Sequence, residues 1–138
     1  ADVGRAIMEA RPDIEIIGTF SGRVTFTTKS GRQWIVDLAH PDKGTAYALS
    51  YNPQRIIESL SGGRKPNMLA VGHFHKAEMM PAYRNIVAVQ AGAFQWQTPF
   101  MARKHSAAHV GGWIFGITIG SKKDMCNRVR SEFVPFYE

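Results

Sequence analysis

The chain has 138 residues, 44% of them hydrophobic and 20% charged, which is the make-up of one ordinary globular domain with a real core. No apolar run approaches the about 18 residues that a membrane-spanning helix needs. One cysteine, Cys126, excludes an internal disulfide framework or a cysteine-type zinc site and favours a reducing, cytoplasmic compartment. Seventeen Lys and Arg against eleven Asp and Glu give a net charge of +6, which suits anionic partners such as phosphate esters or nucleic acid.

In chain order, residues 2–11 read as a short helix. Asp2 stands at its cap, Val3, Ala6, Ile7 and Ala10 share one face, and Pro12 ends it. Residues 13–19, with Ile14, Ile16 and Ile17 apolar, predict a strand. Residues 23–28 and 33–39 predict a hairpin across 29–32, where Gly31 supplies a positive φ. His40 ends the second arm, before a loop from Pro41 to Gly44. Residues 46–51 are compatible with helix or strand. Asn52-Pro53 then opens a helix with Ile56, Ile57 and Leu60 on one face, closed by Gly62-Gly63.

The run Met68-Leu69-Ala70-Val71 predicts a buried strand, and Gly72-His73-Phe74-His75 follows it directly. In an extended chain, side chains at i and i+2 leave the same face, so both imidazoles would reach one cleft. Neutral imidazole is a common ligand for zinc, manganese and iron. Met79-Met80-Pro81 and Met125-Cys126 read as gap-filling and surface features. Residues 86–90 and 113–119 predict further strands. Residues 128–136 predict an edge strand, because Pro135 is out of place in a central one. The pattern is mixed α/β.

Taken together, these residues resemble the calcineurin-like metallophosphoesterases. Gly72-His73-Phe74-His75 is similar to that family's last motif, Gly-His-x-His. Residues 33–40, a strand ending in His40, are similar to its penultimate motif. Residues 86–93 are similar to the strand and turn that follow. The resemblance covers about residues 1–120 and implies the C-terminal portion of a four-layer α/β/β/α sandwich, contributing mainly one mixed sheet with flanking helices. It implies hydrolysis of a phosphomonoester or phosphodiester at two divalent ions of manganese, zinc or iron. His40 and His73 would hold one ion and His75 the other, clustered at the ends of neighbouring strands.

The family's other motifs, Asp-x-His, Gly-Asp and Gly-Asn-His, are absent, and Asp37-Leu38-Ala39-His40 has the wrong spacing for the first of them. Those motifs carry the bridging aspartate, the asparagine ligand and the leaving-group histidine. The expectation is a C-terminal piece of a larger enzyme, inactive alone and prone to pair with a second copy.

Two stretches stay open. The aromatic stretch 94–101 either rims a substrate cleft or packs beside the sheet. Arg103, Lys104 and His105 beside it are candidates for phosphate binding. His105 and His109 would share a helix face and bind metal, or they belong to a polar loop. The alternative to an enzyme is a non-catalytic basic module that holds nucleic acid through Arg103, Lys104 and the aromatic loop. Metal dependence separates the two.

Overall fold

The computed structural model describes residues 3–42, 44–122 and 126–137. The Asp2 cap and Met125 lie outside them. Helix α1 (Val3–Ala10) is amphipathic in sequence, and an Arg5–Glu9 pair at 2.9 Å joins its successive turns. None of its residues is buried, and Val3 is 68% exposed. The strand expected over 13–19 does not form. Arg11 grips Asp13 at 2.6 Å across a turn, and Ile14, Ile16 and Ile17 then run irregular and exposed. β-branched residues make a strand only where a partner edge meets them.

The expected hairpin is present as β1 (Ser21–Thr27) and β2 (Gln33–Ala39), antiparallel from Ser21↔Ala39 to Thr27↔Gln33. Gly31 at φ 81° lets the loop close, with its N–H donated to the Thr28 carbonyl at 2.9 Å. Helix α2 (Tyr51–Ser59) begins one residue before the expected asparagine cap and stops at Leu60, short of Gly62-Gly63. Pro53 is tolerated there because the first-turn N–H groups have no partner within the helix.

Five strands form one sheet in the order β1-β2-β3-β5-β4, with β3 (Met68–Val71), β4 (Ala77–Tyr83) and β5 (Ile86–Ala91). β2, β3 and β5 are mutually parallel, while β1 and β4 run antiparallel at the edges. Pro81 removes a ladder donor from β4, so the segment carries no clear strand signal of its own. The structure tolerates the proline on an edge strand, where the register shifts between Met80 and Tyr83. Arg84 and Asn85, at φ 50° and 64°, make the two-residue turn into β5.

β5 is buried over Ile86–Gln90 because both of its faces are covered. On one face Leu69, Val71, Phe74, Ile86 and Ala88 pack with Ile56 and Ile57 of α2 and with Leu60 at its end. On the other, Trp34, Met68, Val87 and Val89 meet Trp113, Phe115, Ile117 and Val129. The last four belong to a two-stranded antiparallel sheet, β6 (Gly111–Thr118) with β7 (Arg128–Pro135). The flanking layers are therefore one helix on one face and one two-stranded sheet on the other. No described helix is long and apolar enough to cross a membrane.

Tyr83 ties β4 to α2 by donating its hydroxyl to Glu58 at 2.7 Å. That bond, aided by Arg55, holds the Glu58 carboxyl below the usual carboxylate range, and Glu58 lifts the Tyr83 phenol above its own. A lowered acid pKa stabilises the fold above the unfolded value of about 4.3 and loses that stabilisation as pH falls through the folded value. A raised phenol pKa stabilises below about 10 and is lost as pH rises further. The stability difference between wild type and Tyr83→Phe should therefore be flat from about pH 5 to 9 and shrink at both extremes. Thermal melts across pH check this, and a difference unchanged down to about pH 2 would contradict it.

Candidate metal centre

Because β2, β3 and β5 are parallel, the segments that leave their C-terminal ends emerge on one edge of the sheet. Those segments carry His40, then residues 72–75, then residues 92–95. Open α/β sheets bind ligands at this edge. His40 is anchored by its N–H to the Phe20 carbonyl at 2.8 Å, and the Gly72 N–H is donated to the Ala39 carbonyl at 2.9 Å. The two loops that hold the histidines thus leave the sheet already bonded together.

The route by which the histidines converge differs from the expected one. The chain is not extended beyond Val71: His73 lies at φ 79° and His75 at φ 54°. These are left-handed conformations, costing about 1–3 kcal/mol for a non-glycine residue and persisting only where the surroundings fix them. Phe74 provides one anchor, buried in the core at 3% exposure between the two histidines. The curl brings His73 Nδ1 to 3.3 Å from His40 Nε2, the rings meeting edge-on with centroids 5.1 Å apart. His75 lines the same cavity of about 370 Å³, together with Gly92, Phe94 and Gln95. Its Nδ1 is buried without a hydrogen-bond partner among the described residues.

Gly92 shapes the third wall. It sits at φ 82°, and a Cβ there would lie 2.8 Å from the Gly111 carbonyl oxygen, so only glycine lets this loop lie against β6.

The His40–His73 pair fits a metal. Two nitrogens bound to one tetrahedral ion at 2.0–2.1 Å stand about 3.3–3.4 Å apart, the separation observed here. Facing lone pairs at that distance repel unless a proton or a cation lies between them. The set is nevertheless incomplete. No three His, Cys, Asp or Glu side chains form a metal-binding group among the described residues, and no carboxylate lines this cavity.

A second cavity, about 820 Å³, adjoins the first and shares His73, His75 and Gln95 with it. Its other walls include Asp42, Thr98, Phe100, Lys104 and Ser106. Of the three candidates for phosphate binding, Lys104 reaches this cavity, whereas exposed Arg103 and His105 do not line it. Lys104 Nζ also sits 5.9 Å from the centre of the Phe100 ring. Within the aromatic stretch, Phe94, Trp96 and Phe100 are exposed and Met101 is buried, so core packing is not the role of its rings. Thr98 and Pro99 open a short helix, α3 (Pro99–Arg103), with the Thr98 hydroxyl accepting from the Met101 N–H at 3.2 Å.

His105 and His109 do not share a helix. α3 stops at Arg103 and His105 turns to φ 51°. His109 instead accepts the Ala77 N–H at its Nδ1, at 3.0 Å. Of the two readings of that four-residue spacing, the loop is the one that forms.

Comparison with protein-family models, curated proteins and solved structures finds no match for this chain.

Proposed function

We propose that this chain forms part of a metal-dependent phosphoesterase of the calcineurin-like type, hydrolysing phosphomonoesters or phosphodiesters. The observation that carries the reading is the His40–His73 nitrogen separation of 3.3 Å at the ends of adjacent parallel strands. The layering of α2, five-stranded sheet and β6–β7 hairpin supports assignment to the C-terminal portion of an α/β/β/α sandwich.

In the complete enzyme His40 and His73 would hold one ion and His75 the second, whereas the single ion that this chain alone takes up would draw on all three imidazoles of the cavity. Bound divalent ions neutralise phosphate charge and activate water. The chain's own residues bind and orient. Lys104 meets phosphate oxygens in the larger cavity, and Phe100 forms an apolar wall against the ester's organic group. The single, exposed Cys126 suits a cytoplasmic location.

Cobalt titration tests the metal site directly. The chain should take up cobalt with the visible absorption of a nitrogen-ligated ion, and both His40→Ala and His73→Ala should lose it. Uptake undiminished in His73→Ala overturns the reading and favours a basic nucleic-acid-binding module.

A further inference from the structure

His109 lines neither cavity, yet it bonds to the histidine loop on both sides of Lys76. Its backbone N–H is donated to the His75 carbonyl at 2.9 Å, and its ring Nδ1 accepts the Ala77 N–H at 3.0 Å. The Ala77 carbonyl is farther from the same nitrogen, at 3.3 Å, so the accepting role is the better fit and the ring proton sits on Nε2. The carbonyl of His109 then accepts the Ala93 N–H at 3.0 Å, and the Lys76 carbonyl accepts the Gly92 N–H at 2.9 Å. One residue therefore joins the loop bearing His73 and His75 to the loop after β5.

Such bracing has a physical purpose. His75 sits in a left-handed conformation that an unbraced loop would leave, and its imidazole can meet a ligand only while that conformation lasts. The acceptor for the Ala77 N–H is a ring atom, where a strand would ordinarily supply a carbonyl. Position 109 can therefore be tested without cutting the backbone.

We infer that His109 is a positioning residue for His75, fixing the backbone from which that imidazole enters the metal cavity. The inference rests on the metal reading above.

The test compares His109→Ala with His109→Asn in the purified chain, by cobalt titration and by amide hydrogen exchange at Ala77. Asparagine places a carbonyl oxygen near the site of Nδ1 and keeps the acceptor, whereas alanine removes it. His109→Ala should weaken cobalt binding about 10-fold or more, the usual effect of losing support behind a metal ligand. It should also speed exchange of the Ala77 amide, and His109→Asn should restore both. Unchanged cobalt affinity in His109→Ala overturns the inference. So does equal weakening in the two variants, which would show that the ring itself is needed. Should the alanine variant not fold, His109→Asn decides alone: retained cobalt binding and a slow Ala77 amide uphold the inference, and loss of either overturns it. If wild type takes up no cobalt, or takes it up equally in His73→Ala, the metal reading has failed and the inference falls with it. A slow Ala77 amide that quickens in His109→Ala would then identify His109 as a purely structural brace.

Discussion

Leu69→Ala should lower the free energy of unfolding by about 3–5 kcal/mol, a large share of the roughly 5–15 kcal/mol that a domain of this size possesses. Leu69 is 1% exposed at the middle of the sheet, packed among Ile57, Val71 and Ile86. Its removal deletes the transfer energy of a buried side chain and leaves a cavity that the flanking strands cannot close. β3 also delivers His73 and His75 to the edge of the sheet, so cobalt affinity should fall together with stability. Ile7→Ala, on a helix with no buried residue, should change stability by less than about 0.5 kcal/mol. Urea unfolding midpoints measure both. A Leu69→Ala loss below about 1 kcal/mol would mean that β3 is not the centre of the core.

The elements legible in the sequence were those whose local signals agree with their surroundings. The β1–β2 hairpin joins β-branched arms around a glycine that takes a positive φ, and β3 and β5 are short apolar runs bounded by polar loops. Elsewhere local pattern and tertiary context part. Ile14, Ile16 and Ile17 are β-branched and apolar like a strand's residues but find no partner edge. β4 contains a proline and is held by an edge position and a register shift, neither visible from its own residues.

The site divides in the same way. Strand-end position brings His40 and the 72–75 motif together, as the family resemblance implied. The mechanism did not follow from the i, i+2 rule, because His73 and His75 adopt positive φ although neither is glycine. Such conformations are imposed by neighbours, here Phe74 in the core and His109 across the loop. His109 was visible only as half of a four-residue spacing. The 30-odd residues separating it from Ala77 hid what it contacts.

The purified chain supplied with manganese should hydrolyse bis(p-nitrophenyl) phosphate no faster than manganese in buffer, and His73→Ala should give the same rate. The reason is charge. Two divalent ions side by side need anionic ligands, and the cavity that holds His40, His73 and His75 offers imidazoles and no carboxylate. Neutral nitrogens can hold one ion loosely but cannot bridge a pair or offset its charge. The nearby acids do not remedy this. Asp37 is taken by Arg23 in a two-bond pair at 2.6 and 2.8 Å, and Asp42 is an exposed residue on the wall of the adjoining cavity. Robust turnover in wild type that disappears in His73→Ala would be the contrary result. It would mean that Asp42, or an acid from a second copy of the chain, swings in to complete the centre. The rate would then depend on Asp42→Asn in the first case and on protein concentration in the second.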